Sequence, residues 1–94
     1  MRAWDGMLFG RGERTALELE MRLYDAQAVE RRVELKRRDD PTEHFLLLIA
    51  ATRTNRRVLA AFPGLFVDLP RLKLAAIRAA LAAGRHPGTG MVLV

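Results

Sequence analysis

The sequence AWDGMLFGRGERTALELEMRLY, residues 3–24, has the pattern on which the predicted fold of this chain depends. From Thr15 to Leu23, apolar and charged residues alternate, as in a strand whose side chains point in turn to opposite faces. Gly12-Glu13 suits a two-residue loop, because a type II′ turn requires glycine at its first central position. The stretch therefore predicts an antiparallel hairpin. Its predicted apolar face consists of Leu17, Leu19, Met21 and Leu23, and its polar face of Glu18, Glu20 and Arg22.

The predicted pairing brings three acidic side chains onto one surface. If Arg11 pairs with Arg14, Asp5 lies opposite Glu20, and Glu18 is its diagonal neighbour. Like charges repel at this range, so the cluster needs a compensating partner. Mg²⁺ suits it, because this ion binds one or two carboxylates and keeps waters for a substrate phosphate. The alternative is a hairpin whose polar face is simply solvated, as is common for alternating glutamates on an exposed strand.

The composition indicates one small globular domain with a polyanionic partner. The chain has 94 residues, 50% of them hydrophobic, and a formal net charge of +5 that comes mostly from arginine. This charge suits DNA. The alternative is that an arginine- and alanine-rich composition reflects a GC-rich genome. Cysteine is absent, which excludes disulfides and thiolate zinc sites. The sequence shows neither a signal peptide nor an apolar run long enough to span a bilayer, so we expect a cytoplasmic protein.

A βαβ unit is expected to follow the hairpin turn. Residues 25–38 have the apolar spacing of a helix, with Asp25 as its N-cap and a proline at position 41 shortly after its end. The unbroken apolar run from His44 to Ala51 is typical of a central strand that is buried on both faces. A strand, a helix and a second strand in this order predict that the two strands run parallel, through a right-handed crossover.

The rest of the chain predicts two more helices and one more strand. A second helix is expected from Arg53 to Ala61. A third should begin at Pro70, since proline fits the first helical position, and should end at Gly84 as its C-terminal cap. Residues 91–94 form a short apolar strand that could join the sheet. The expected fold class is α/β: a small mixed sheet with an N-terminal hairpin, a βαβ crossover and three helices.

Isolated histidines and arginines carry weaker signals. His44 and His86 lack the spacing of metal ligands, so each is predicted to be structural or exposed. The pairs Arg31-Arg32 and Arg56-Arg57 are typical of the solvated side of an amphipathic helix. They would become a phosphate-binding surface only if they flanked the acidic cluster.

Four motifs give the sequence a family resemblance. They are WD at residues 4–5, LELEMRLYDAQ at 17–27, RRVELKRR at 31–38 and LLLIAATRTNRR at 46–57. In this series the chain resembles the C-terminal domain of bacterial helix-turn-helix proteins of the XRE type. The resemblance implies a restriction-endonuclease-like core of the PD-(D/E)xK type. It also implies that the first helix and strand of that core are missing here, as is an upstream helix-turn-helix, so we expect a partial domain or a truncated reading frame.

The resemblance implies a metal-dependent endonuclease site. Asp5 and Glu18 match the two acids that would hold Mg²⁺, and Gln27 would position water or substrate. Glu20 stands where the family has lysine, and would serve as base or third ligand. Phosphates of the DNA would be held by Arg22, Arg31, Arg32, Arg56 and Arg57.

Two alternatives to an endonuclease function remain. A second possibility is a non-catalytic module of a transcriptional regulator that contacts DNA, a partner chain or an effector. A third is a fragment too incomplete to fold stably, because a missing edge strand leaves backbone groups unpaired. A homodimer is compatible with the first two.

Overall fold

Five strands form one mixed sheet in the computed structural model, which describes residues 4–94. Ala3, the first residue of the predicted hairpin, lies outside the described residues. The elements follow in the order β1 (Gly6–Gly10), β2 (Glu13–Glu20), α1 (Ala26–Asp39), β3 (His44–Ile49), α2 (Arg53–Ala61), β4 (Arg71–Leu72), α3 (Leu74–Ala82) and β5 (Gly90–Leu93). Within residues 4–94, no helix has the length and apolar character needed to cross a membrane.

The sheet has the strand order β1-β2-β3-β5-β4. β1 pairs with β2 antiparallel, and the other neighbouring strands pair in parallel. The predicted parallel pairing of the acidic strand with the apolar run is confirmed, since Glu18 lies beside Leu47. The final strand also joins the sheet, although it lies inside it, between β3 and β4. The small mixed α/β architecture with three helices is therefore as expected.

The hairpin turn is not the predicted one. Arg11 and Gly12 are its central residues, with φ values of 52° and 75°, and Gly10 pairs with Glu13. Two consecutive positive φ values are the mark of a type I′ turn, whose twist matches that of the strands. The predicted pairing of Arg11 with Arg14 is wrong. The true register is shifted by two residues, which keeps each side chain on its predicted face but changes the residue opposite.

Apolar side chains cover both faces of the sheet. α1 and α2 lie over one face, where Val33 and Leu59 pack with Ala16 and Leu47. α3 lies over the other, where Ile77 packs with the β3 and β5 side chains. Each such side chain contributes about 1.5–3 kcal/mol when it is fully buried. The sheet therefore forms the middle layer of three.

Glu18 and Leu19 of β2 have the reverse of the solvent exposure that the alternation suggests. Glu18 is 1% exposed beneath α1, whereas Leu19 on the opposite face is 44% exposed. The reason is that β2 is an interior strand whose acidic face carries a helix. A merely solvated polar face is therefore ruled out for Glu18.

The third helix begins later than predicted. Arg71 and Leu72 form the edge strand β4 beside Met91 and Val92, and α3 starts at Leu74. The carbonyl of Pro70 accepts a hydrogen bond from the Met91 N–H. Proline therefore precedes an edge strand here rather than opening a helix. The predicted cap is correct, because Gly84 follows the helix with a φ of 71°.

Candidate functional site

Glu18 and Lys36 form a buried ion pair between β2 and α1. Lys36 Nζ donates a hydrogen bond to Glu18 Oε2, and the side chains are 14% and 1% exposed. Four residues further back on the helix, Arg32 pairs with Glu20. Two residues of a strand span about 6.8 Å and four residues of a helix about 6 Å, so the two spacings match. α1 thus lies along β2 with its cations over the acids.

Asp5 completes the cluster from the edge of the sheet. Gly6 pairs with Leu17, so Asp5 lies one step further, beside Glu18 rather than opposite Glu20. Its Oδ2 accepts a hydrogen bond of 2.8 Å from the Leu19 N–H. This hydrogen bond lowers the pKa of Asp5, and the nearby cations Lys36 and Arg32 add to the effect. The Asp5 carboxylate is therefore held ionised, on the same side of the sheet as Glu18.

Glu18 is perturbed in the opposite direction. Burial raises the pKa of Glu18, and the neighbouring Asp5 carboxylate raises it further, while Lys36 opposes the rise. Its second oxygen, Oε1, is buried and finds no hydrogen-bond donor within residues 4–94. A buried oxygen in this state costs about 1–3 kcal/mol, and more when the group is charged. The negative charge of Asp5 and Glu18 together could therefore be compensated further by a proton or a cation.

We name Asp5, Glu18 and Lys36 the acidic cluster. Its donor set consists of hard carboxylate oxygens, one buried and one solvent-exposed, which are ligands that Mg²⁺ accepts while keeping several waters. Lys36 also supplies a cation, which reaches the site from the last turn of α1. It is not among the site residues predicted from the sequence. The signal that could have found it is the matched spacing of Arg32 and Lys36 with Glu20 and Glu18.

The other predicted catalytic residues lie apart from this cluster. Glu20 is bound by Arg32. Gln27 is exposed in the first turn of α1 and lines a groove of about 760 Å³ together with Asp25 and Phe62. Nine residues separate Gln27 from Lys36, or about 13.5 Å of helix axis. Gln27 is therefore near the Glu20 end of the strand rather than at the Glu18–Lys36 contact.

The predicted phosphate-binding arginines are exposed and are contributed by three parts of the chain. Arg22 donates to the Tyr24 hydroxyl at 2.7 Å, and Arg32 is engaged by Glu20. Arg31 is exposed on α1. Arg56 and Arg57 are exposed on α2.

Asn55, which the resemblance grouped with Arg56 and Arg57, is a structural residue. It is 1% exposed, and its side chain accepts a hydrogen bond from the Leu23 N–H and donates to the carbonyls of Met21 and Ala50. It therefore fixes the start of α2 against the carboxyl end of β2. Thr52 caps the same helix, since its hydroxyl accepts from the Asn55 N–H.

A second cluster lies at the opposite end of the sheet. Glu13, His44 and His86 each offer one ligand atom, and these atoms all lie within 4.8 Å of one another, so the three residues could hold a metal ion. Sequence analysis missed this group, because its members are contributed by the start of β2, the start of β3 and the segment after α3. The prediction that each histidine is merely structural or exposed did not foresee that their rings stack, with centroids 4.7 Å apart.

No protein-family model, curated protein or solved structure matches this chain. Its function is therefore inferred from the geometry of its own residues.

Proposed function

We propose that this chain is a DNA-associated, restriction-endonuclease-like domain whose acidic cluster binds Mg²⁺ and hydrolyses a phosphodiester. The observation that carries the proposal is the buried Glu18 Oε1 beside the ionised Asp5. Two carboxylates in contact repel unless something positive lies between them. Lys36 neutralises only one oxygen of Glu18, and Asp5 faces solvent, from which a hydrated ion can enter.

The fit to Mg²⁺ follows from the donor atoms. Mg²⁺ is commonly bound by one or two carboxylates together with waters and substrate phosphates, rather than by a full cage of protein ligands. Asp5 and Glu18 supply two such carboxylates. Once bound, the ion would polarise a phosphoryl oxygen and lower the pKa of a bound water.

The residues around the ion have separate roles in this proposal. Asp5 is oriented by the Leu19 N–H, so its carboxylate keeps one direction. Lys36 binds Glu18 Oε2 and so fixes the Glu18 carboxylate, and its ammonium group would take the place of the lysine that the E-x-E sequence lacks on its strand. Glu20, which pairs with Arg32, would act as base or third ligand once that pair opens.

DNA would approach from the side of β1, where Asp5 is exposed. Arginines on α1, α2 and the segment after β2 would bind its backbone, since phosphate contacts fix position without reading sequence. The net charge of +5 favours this association. The affinity should therefore fall steeply with salt.

Cleavage of plasmid DNA tests the proposal. The wild-type chain should cut DNA with Mg²⁺ or Mn²⁺ and not with EDTA. Asp5→Asn and Glu18→Gln keep the size of each side chain but remove its charge. Each should lower the rate at least ~100-fold, because changes to residues that only support metal ligands already cost 10–100-fold.

Glu34→Gln provides the matched control. Glu34 is an exposed carboxylate on α1, so its loss changes the net charge equally without touching the acidic cluster. Full activity in Glu34→Gln, together with loss in the two cluster variants, supports the proposal. Equal activity in all four proteins would mean that the cleavage comes from a contaminating nuclease.

One observation favours a second candidate, the non-catalytic DNA- or partner-binding module. Glu18 and Glu20 of β2 are both paired with cations of α1, as expected if the ion pairs fix the helix on the sheet. In that case DNA affinity should be salt-sensitive and unchanged by Mg²⁺ or EDTA. It should fall on replacement of Arg56 and Arg57, with no cleavage by the wild type.

A further inference from the structure

Glu13 and His44 are in direct contact at the amino-terminal end of the parallel strands. His44 Nε2 hydrogen-bonds the Glu13 carboxylate, and the His44 and Glu13 side chains are 26% and 43% exposed. Both residues therefore combine a fixed position with access to solvent. They are contributed by neighbouring strands, since Thr15, two residues after Glu13, pairs with His44.

His86 is held against this pair by two hydrogen bonds. Its Nε2 lies 2.6 Å from the carbonyl oxygen of Gly10, and its Nδ1 lies 2.8 Å from the Thr15 hydroxyl. A carbonyl only accepts, so Nε2 carries the hydrogen. In the neutral ring Nδ1 then holds the lone pair, to which Thr15 donates. Metal-bound histidines show the same division, with one nitrogen on the ion and the other donating to a carbonyl or carboxylate.

We propose that Glu13, His44 and His86 form a site for a divalent transition metal of the zinc type, separate from the acidic cluster. The ion would bridge Glu13 and His44 in place of their present hydrogen bond and would replace the Thr15 hydroxyl on His86 Nδ1. The Gly10 carbonyl would keep its hydrogen bond to Nε2–H. One ligand atom of each residue lies within 4.8 Å of the others. Since zinc bonds nitrogen and oxygen at about 2.0–2.2 Å, binding would turn the stacked imidazole rings so that these atoms converge on the ion.

The donor set separates this site from a magnesium site. Two imidazole nitrogens and one carboxylate suit Zn²⁺ and neighbouring transition metals, whereas Mg²⁺ prefers oxygen ligands only. Three protein ligands leave a fourth position for water. From Glu13 to Glu18 the strand rises about 17 Å, so the two sites cannot share an ion.

Metal binding at this site would stabilise the folded state. Its ligands come from β2, β3 and the segment between α3 and β5. Glu13 and His44 are 31 residues apart in sequence, and His44 and His86 are 42 apart. A metal that binds all three in the folded state only must stabilise that state by mass action. The bound ion would also hold the hairpin turn through Gly10, since His86 contacts its carbonyl.

Thermal unfolding of chelator-treated protein, made without a histidine tag, tests the proposal. One equivalent of Zn²⁺ should raise Tm by about 5 °C or more. In Asp5→Asn/Glu18→Gln, where the proposed Mg²⁺ ligands are removed, the same concentration of Mg²⁺ should not raise Tm. Since the sequence has two histidines and no cysteine, imidazole or thiolate binding has no other source in the chain. Glu13→Gln, His44→Gln and His86→Gln should each abolish most of the rise. The double variant Asp5→Asn/Glu18→Gln should retain it.

Co²⁺ binding to the wild type gives a second readout that does not depend on how the variants fold. Intense visible absorption bands at one equivalent indicate tetrahedral nitrogen and oxygen ligands and support the site. The absence of such bands together with the absence of a Zn²⁺ effect on Tm overturns it. A Zn²⁺ effect that survives all three single variants but disappears in Asp5→Asn/Glu18→Gln also overturns it, because the ion would then bind at the acidic cluster.

Discussion

Lys36 on α1 and Glu18 on β2, 18 residues apart in sequence, meet in a buried ion pair beneath the helix. The pair places a cation beside two carboxylates on an interior strand. Removing a charge from water is costly, and the mutual attraction repays that cost only when both partners are present. The acidic cluster is therefore a place where stability depends on the pairing of charges rather than on apolar contact.

The two partners should not be equivalent in a double-mutant cycle. Lys36→Met leaves the buried Glu18 carboxyl without its cation and should lower the free energy of unfolding by up to about 3–5 kcal/mol. Glu18→Gln should cost less, because the Lys36 side chain is the more exposed of the two and keeps the Asp5 carboxylate nearby. The double variant should be more stable than Lys36→Met alone. Urea unfolding measures all four proteins, and strictly additive losses would contradict the ion pair.

Asn55 should be the most sensitive polar residue outside the cluster. Asn55→Ala leaves the buried Leu23 N–H without its acceptor and removes one donor from each of the Met21 and Ala50 carbonyls, of which the Ala50 carbonyl keeps the Thr52 N–H. A buried group left unpaired costs about 1–3 kcal/mol, so we expect a loss of this size in chemical unfolding. The exposed neighbour Thr54 is the control, and Thr54→Ala should change stability by less than ~0.5 kcal/mol. Similar values for both variants would be inconsistent with the described network.

The hairpin turn gives a prediction of opposite sign. Arg11 has a φ of 52°, which is unfavourable for arginine but is readily adopted by asparagine. Asn-Gly is the preferred pair for a type I′ turn, so Arg11→Asn should stabilise the protein by about 0.5–1 kcal/mol. If the turn were instead Gly12-Glu13, position 11 would belong to a strand, where asparagine is unfavourable. A lower Tm for Arg11→Asn would therefore restore the pairing predicted from sequence.

Acidification should remove a contact between β2 and the segment before β3. The Arg14 N–H donates a hydrogen bond of 2.9 Å to Glu43, and this lowers the pKa of Glu43 below its usual value of 4.5. A carboxyl whose pKa is lower in the folded state stabilises that state above its usual pKa, and the contribution is lost as the pH falls below it. The Tm difference between the wild type and Glu43→Gln should therefore shrink from pH 7 to pH 3. A difference that grows on acidification would contradict this assignment.

Much of the fold could be predicted because its signals are local. α2 begins and ends at the predicted residues, and α1 is displaced by one, since caps and prolines mark their ends. The unbroken apolar run of β3 correctly predicted a central strand. β4 could not be predicted, because two residues carry no periodicity and Arg71 and Leu72 are extended only through pairing with β5. The hairpin turn was predicted at Gly12-Glu13 instead of Arg11-Gly12, because arginine rarely adopts the positive φ that Arg11 has here.

The candidate sites depend on contacts that sequence spacing does not record. Asp5 and Glu18 were placed on the same side of the sheet from strand alternation alone, although in the wrong register. Lys36 could be found only once α1 was known to lie along β2. His44 and His86 are brought together by the return of the chain after α3, and no local pattern marks that return.

An NMR titration with Mg²⁺ that follows the Leu19 amide shows whether an ion binds at the acidic cluster. This N–H donates to Asp5 Oδ2, so an ion shared by Asp5 and Glu18 must change its environment. We expect a saturable shift of this resonance in the wild type and no such shift in Asp5→Asn/Glu18→Gln. A Leu19 resonance that stays unmoved in the wild type, or moves equally in the double variant, would contradict a metal ion at the acidic cluster.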